Sequence, residues 1–236
     1  MNSPFKQLCY LALILILPSN AYATWSIIAV DRKTGETGVA GASCTSDVTG
    51  IASVVPGKGA IVVQAASNYF ARVQGAGLID KGTPPKEILA TIRDKQFDPE
   101  DQQYGVVTLY DDSAPLVYSG VSISNWRGAK VGADVATLGN TLVGQGVVDD
   151  AFQAFDTNRD KSLAERLVLA LNAGAKAGGD NRCGTQHARS AFVMVYQPQR
   201  ESNLTLAVTG IKLGGKPAVV LLIEHFERWK QERKSP

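Results

Sequence analysis

Strand signals and pairs of helix signals alternate along this sequence in the order strands, two helices, strands, two helices, strands, and one further helix signal follows. Runs of β-branched and apolar residues predict strands, and a 3.6-residue apolar period predicts helices. The predicted strands are residues 25–30, 38–43, 60–65, 104–110, 115–119, 133–138, 191–196 and 204–208. The predicted helices are residues 69–81, a segment capped by Thr83, and residues 143–155, 162–177 and 217–233. Because each helix must bury its apolar face, this order predicts sheets whose outer faces are covered by helices.

The first 23 residues have the pattern of a secretory signal peptide. Lys6 precedes an uncharged run, residues 8–17, and the small residues Ala21 and Ala23 occupy the positions that a signal peptidase recognises. The uncharged run is shorter than the roughly 20 residues that cross a bilayer, so we expect cleavage and no membrane anchor. The sequence therefore predicts an exported protein, periplasmic or secreted, whose mature chain is a single domain of residues 24–236.

Charge and metal-binding residues exclude several kinds of partner. The chain has 24 Lys and Arg against 22 Asp and Glu, without a basic stripe, so we do not expect it to bind nucleic acid. With two histidines and no Cys-x-x-Cys pair, the sequence predicts no metal site, and we expect no cofactor. Cys44 and Cys183 are an even pair in an oxidising compartment, which favours a disulfide over the alternative of two free thiols.

Residues 156–165 imitate a calcium-binding loop. An EF-hand loop needs glycine at its sixth position and glutamate at its twelfth, but here Lys161 is sixth and Glu165 is tenth. We therefore favour a polar connector that ends in a helix capping box of Ser162 and Glu165.

The glycine-rich segment 177–186 has two interpretations. It is either the end of a helix with a loop held by an Asp180–Arg182 ion pair, or a loop whose backbone approaches a ligand. His187 and His225 have no neighbouring nucleophile motif, and we expect structural or solvated roles for both.

Thr24 would become the first residue of the mature chain, and this gives it a second chemical group. A threonine hydroxyl is a poor nucleophile until a base removes its proton. Cleavage after Ala23 would free an α-amine, whose ordinary pKa of about 7.7–8.0 leaves roughly a tenth of it neutral at pH 7. Such an amine can act as the general base for the hydroxyl of the same residue. The uncut chain has an amide nitrogen there and could not do so.

Four blocks of the sequence resemble the bacterial family of unknown function DUF1028, in the same order. The blocks are residues 24–43, 54–68, 139–155 and 163–182. Members of that family commonly begin Met-Thr-Phe-Ser and belong by fold to the N-terminal-nucleophile (Ntn) hydrolase superfamily. The resemblance implies an α+β fold, a four-layer αββα sandwich, with the first residue of the mature chain at the nucleophile position.

The resemblance also implies which polar residues surround the site. Thr24 becomes the nucleophile and base, and four further residues fall at recurrent polar positions: Asn68, Asn140, Asp180 and Arg182. We expect Asn68 or Asn140 to position the substrate or stabilise an oxyanion, and Asp180 and Arg182 to organise the loop beside Thr24.

The sequence departs from the family's pattern at two places. The family's usual GGD-x-RG-x-QSA is stretched here to GGDNRCGTQHARSA, with Cys183 in place of a glycine, and an Asp-Asp-His before the last helix is absent. Pairing with Cys44 would explain Cys183, because both cysteines flank segments close to the implied site.

The function that follows is an exported Ntn-type amidohydrolase acting on a small-molecule or peptide amide. Neither the substrate nor the formation of homo-oligomers is specified by the sequence. The alternative is a non-catalytic binding or assembly module of the cell envelope built on the same fold, since a fold does not dictate an activity.

Overall fold

The computed structural model describes residues 23–123, 126–199 and 203–233. The predicted signal peptide, apart from Ala23, lies outside these residues. Ten strands and five α-helices form within them. They are β1 Thr24–Asp31, β2 Glu36–Ser43, β3 Ala52–Val55, β4 Gly59–Ala65, α1 Tyr69–Asp80, α2 Pro85–Ile92, β5 Gln102–Thr108, β6 Leu116–Ser119, β7 Arg127–Val131, β8 Val135–Asn140, α3 Gln145–Thr157, α4 Leu163–Lys176, β9 Ser190–Tyr196, β10 Leu204–Val208 and α5 Ala218–Glu232.

The strands form two antiparallel sheets. The larger sheet has the order β10-β9-β2-β1-β8-β7, and the smaller has the order β3-β4-β5-β6. Strand β1 therefore lies inside the larger sheet with a partner on each side. Its first residue, Thr24, is opposite Ser43 of β2 and opposite Asn140 of β8.

Side chains of β1 alternate between two apolar clusters, as the period of a strand requires. Trp25 and Ile27 pack with buried residues of α3, α4 and α5 on the outer face of the larger sheet. Ile28 and Val30 face the smaller sheet. The outer face of the smaller sheet packs on α1 and α2 in a third cluster. The fold is thus of the α+β class, and helices cover the outer face of each sheet, as the order of elements predicts.

Strands β3 and β7 were not predicted from the sequence. Both are short, with four and five residues, and both lie at the edge of a sheet with side chains that are mostly half-buried. Strand β7 carries Arg127 and Lys130, which is typical of edge strands because charge discourages pairing with another chain. The apolar alternation that reveals a strand is weak in such segments.

Helix α4 begins as predicted. The Ser162 hydroxyl accepts a hydrogen bond from the Glu165 backbone N–H, and the Glu165 carboxylate accepts one from the Ser162 N–H, both at 3.3 Å. Lys230 of α5 lies 2.9 Å from the Glu165 carboxylate and holds the pKa of that carboxyl below its ordinary value. This confirms the polar connector with a capping box over residues 156–165. Among the helices of the described ranges, none is both long and apolar enough to cross a bilayer.

Candidate functional site

Thr24 lies where the central strand β1 begins, at the margin of the space between the two sheets. The next residue on the same side of β1, Ser26, donates a 2.5 Å hydrogen bond to Gln64 of the opposite sheet. Thr24 is 2% exposed in the chain that still carries Ala23. It lines a cavity of about 330 Å³. The other lining residues are Thr45, Ser46, Asp47, Val48, Gly50, Ile51, Ala65, Ala66 and Ser67.

The backbone carbonyl of Ala23, directly before Thr24, is held by two side chains. The Ser43 hydroxyl donates to this oxygen at 2.6 Å, and Nη2 of Arg182 donates to it at 3.0 Å. Ser43 reaches it because the strand register places Ser43 opposite Thr24. Arg182 is 159 residues away in the sequence, so only the folded chain brings it here.

Asp180 fixes the position of Arg182. The Asp180 side chain is fully buried, and its carboxylate accepts hydrogen bonds from Nε of Arg182 at 3.0 Å and from Nη2 at 2.6 Å. The same carboxylate also accepts from the backbone N–H of Cys44 at 2.8 Å. Gly178 and Gly179, with φ of 113° and 47°, turn the chain after α4 towards this position. The ion pair holds the loop, as the first interpretation of residues 177–186 expects, and it also directs Arg182 to Ala23.

A disulfide joins Cys44 and Cys183, with their Cα atoms 5.9 Å apart. This confirms the predicted pairing over two free thiols. The bond ties the end of β2, which carries Ser43, to the loop that carries Arg182. Such a bond indicates that the protein is found in an oxidising compartment.

Asn140 belongs to a buried polar network between the sheets. Its Oδ1 accepts from Nε2 of Gln64 at 3.3 Å, and the same nitrogen lies 2.7 Å from Oε1 of Gln103 and 3.4 Å from the backbone oxygen of Thr24. Gln64 and Gln103 are both fully buried. The network continues from Gln103 to the Ser119 hydroxyl at 2.8 Å.

Sequence reasoning did not select Gln64 or Gln103, although β4 contains a usable signal. Ala60 and Val62 face the other sheet, and Gln64 is the next position on that side. A polar residue that continues a buried apolar row is unusual, because burying an amide is costly unless it is hydrogen-bonded. Its four partners come from three different strands, β1, β5 and β8, which the sequence does not reveal.

Asn68 has a different position from the other predicted site residues. It caps helix α1, since its Oδ1 accepts from the Ala71 N–H at 3.1 Å while Nδ2 donates to the Phe97 carbonyl at 3.2 Å. These bonds anchor the end of the loop that lines the cavity. The loop contains Ala65 and Ser67 with φ of 71° and 47°, values that are uncommon for residues other than glycine.

Backbone strain therefore occurs close to Thr24 on more than one side. Besides Ala65 and Ser67, Thr141 has a φ of 56°, and it directly follows Asn140, which pairs with Thr24. A β-branched residue with a positive φ is an outlier, and such residues often cluster at functional sites. Within the ranges that the structure covers, no group of three or more His, Cys, Asp or Glu side chains could hold a metal ion.

Replacing Gln64 by leucine is expected to lower the free energy of unfolding by about 2–4 kcal/mol. Leucine has a similar size but leaves Ser26 and Gln103 without the amide that they bond in a buried network. Urea unfolding measures the loss. Ser119→Ala, at the half-buried end of the same network, is the control and should cost less than about 1 kcal/mol. Equal losses for the two variants would show that the network is not centred on Gln64.

Two helix-covered antiparallel sheets with Thr24 at the start of a central strand define an α+β protein with a candidate site between its sheets. The chain belongs to the family of unknown function DUF1028, whose sequence profile matches residues 24–212. It is similar in structure to the protein SPO2555 from Silicibacter pomeroyi, which also carries the DUF1028 name. The TM-score is 0.74 at 21% identity, over 87% of this chain and 85% of that one, and this likeness shows the fold alone. None of the curated proteins matches this chain.

Proposed function

We propose that this protein is an exported Ntn-type amidohydrolase in which Thr24, as the first residue of the mature chain, is the nucleophile and its α-amine is the base. One observation carries the proposal. Thr24 begins a central strand, faces the space between the sheets and lines a cavity, and the DUF1028 match begins at this same residue. A family match that starts at a buried threonine of this chain supports a terminal nucleophile.

The proposed fold is the four-layer αββα sandwich of Ntn hydrolases. Three apolar clusters support it: one between the larger sheet and α3–α5, one between the sheets, and one between the smaller sheet and α1–α2. The polar network of Gln64 and Gln103 interrupts the apolar packing between the sheets near Thr24. A buried polar network in an otherwise apolar interface fits a reaction centre, because such centres need a few precisely placed polar groups.

The reaction takes place in two steps. The Thr24 hydroxyl oxygen attacks the carbonyl carbon of an amide, and its proton passes to the α-amine of Thr24. The tetrahedral oxyanion collapses, the C–N bond breaks, and the leaving amine takes that proton. Water then attacks the resulting ester with the α-amine accepting a proton from it, the C–O bond to Thr24 breaks, and the proton returns to the Thr24 oxygen. The products are an amine and a carboxylic acid.

The cavity beside Thr24 limits the substrate. About 330 Å³ is near the lower end of ligand sites, so it accommodates a small molecule or a short peptide segment. Val48, Ile51 and Ala65 give it apolar walls, and Asp47 also lines it. The apolar walls favour an uncharged acyl group over a charged one.

The test is to determine the first residue of the exported protein and its reaction with a β-lactone, whose ring opens on a terminal nucleophile. Mass spectrometry should find a chain that starts at Thr24 and gains one probe on that residue. A chain with one extra glycine before Thr24 is the matched control, because it keeps the hydroxyl and the fold but displaces the amine. It should remain unlabelled. A wild-type terminus at another residue, or no label on Thr24, would favour the non-catalytic envelope module.

A further inference from the structure

We propose that the Ser43 hydroxyl and Nη2 of Arg182 hold the carbonyl oxygen of the substrate and stabilise its negative charge in the transition state. The inference rests on the proposed function of Thr24. In the uncut chain, the Ser43 hydroxyl and Nη2 of Arg182 already donate to a carbonyl oxygen, that of Ala23. Removal of residues 1–23 takes this acceptor away and leaves both donors facing the site.

The surroundings of Ser43 direct its hydroxyl hydrogen towards that site. Its oxygen accepts from the Thr45 N–H at 3.1 Å and lies 3.5 Å from Nη2 of Arg182. Because these donors face the lone pairs of the Ser43 hydroxyl oxygen, its hydrogen points to the Ala23 carbonyl oxygen, 2.6 Å away. Ser43 is fully buried, so a hydrogen bond from it to a developing oxyanion is stronger than in water.

Arg182 is held with one N–H directed to the same point. Asp180 accepts from both Nε and Nη2, which fixes the plane of the guanidinium, and Nη2 also donates to the Ala23 oxygen at 3.0 Å. Because the Asp180 carboxylate balances the charge of Arg182, the pair suits a neutral carbonyl that becomes negative during reaction more than a permanent carboxylate.

The position of this acceptor relative to the nucleophile follows from covalent geometry. The carbonyl carbon of Ala23 is bonded to the nitrogen of Thr24, so its oxygen lies roughly within 5 Å of the Thr24 hydroxyl. A substrate carbonyl that the hydroxyl attacks must occupy the same neighbourhood. Asn140, on the other side of Thr24, has its Oδ1 hydrogen-bonded to Gln64, which suits a role in positioning β1.

The experiment compares rates of β-lactone labelling of Thr24 in mature variants. Ser43→Ala and Arg182→Lys should each slow labelling by on the order of 100-fold, as the loss of an oxyanion donor does. Ser43→Cys should slow it similarly, because a thiol of nearly the same shape is a weak donor. Ser43→Thr, which keeps the hydroxyl, should retain a rate close to that of the wild type. Thermal unfolding of each variant identifies effects that come from misfolding.

Two control variants match the tested residues in type and burial. Ser190 is a fully buried serine opposite Ser43 on β9, and its hydroxyl bonds the Thr45 carbonyl. Arg32 pairs with Asp134 at the far end of β1, at 2.7 Å. Ser190→Ala and Arg32→Lys should label within about twofold of the wild-type rate.

Wild-type rates in the folded Ser43→Cys and Arg182→Lys proteins, with Thr24 still labelled, would overturn this inference and leave the proposed function intact. Absence of label on wild-type Thr24 would overturn both.

Discussion

The mature Thr24→Ala protein is expected to lose acyl transfer, with β-lactone labelling reduced at least about 10³-fold, whereas Thr24→Ser should remain reactive. Alanine keeps the terminal amine and the backbone pairing of β1 but has no oxygen to attack a carbonyl. In enzymes that use a covalent nucleophile, loss of that nucleophile removes almost all of the catalysis. Serine supplies the same hydroxyl beside the same amine, so its rate should differ from the wild type by much less.

Labelling followed by mass spectrometry of the amino-terminal peptide checks this expectation. Thr137→Ala is the matched control, because Thr137 is a buried threonine on the neighbouring strand β8 whose hydroxyl bonds the Val148 carbonyl. It should keep a normal rate even if its stability falls. Labelling that persists elsewhere in Thr24→Ala, at the wild-type rate, would contradict the assignment of the nucleophile.

Removing the Cys44–Cys183 disulfide is expected to lower the free energy of unfolding by about 3–5 kcal/mol. The cysteines are 139 residues apart, so the bond closes a long loop and restricts the unfolded chain strongly. The chain-entropy estimate for such a loop is about 5 kcal/mol, and native disulfides commonly contribute about 2–4 kcal/mol. The loss should also slow labelling of Thr24, because the loop that carries Arg182 is held to β2 by this bond.

Urea unfolding of the double variant Cys44→Ser/Cys183→Ser, with and without a reducing agent, measures the contribution. The wild-type protein should become less stable under reduction and approach the variant. The variant itself should be insensitive to the reductant, and this is the internal control. A difference below about 1 kcal/mol between oxidised wild type and variant would show that the loop and β2 are held together by their other contacts, mainly the bonds of Asp180.

Elements with strong local signals were predicted correctly from the sequence. Helix α4 is recognisable because its capping box and its apolar period lie within one short segment, residues 162–177. The order of strands and helices also predicts sheets covered by helices, which the three apolar clusters bear out. Strands β3 and β7 were not predicted because these edge strands are short and half-buried, and because their pairing depends on a distant neighbour.

The residues around Thr24 also divide into those that the sequence indicates and those that only the folded chain reveals. Asp180 and Arg182 are two positions apart, so their ion pair is a local property that the sequence indicates. Ser43 was not selected as a site residue, because its importance depends on the register that places it opposite Thr24. Gln64 was missed for a similar reason, since its partners come from three strands that meet only in the folded chain.

By itself, the sequence determined most of the segments that become strands and helices, where a protease is expected to cut, and that two cysteines of the predicted mature chain are available to pair. Those properties depend on neighbouring residues, whose periodicity, capping and small side chains can be read along the chain. Only the tertiary structure decided that Ser43 and Arg182 donate hydrogen bonds to the Ala23 carbonyl. The same is true of the contact between Gln64 and the Thr24 carbonyl, and of the bond between Gln64 and Gln103. Those contacts depend on sheet order and register, which are set by packing between residues far apart in the chain.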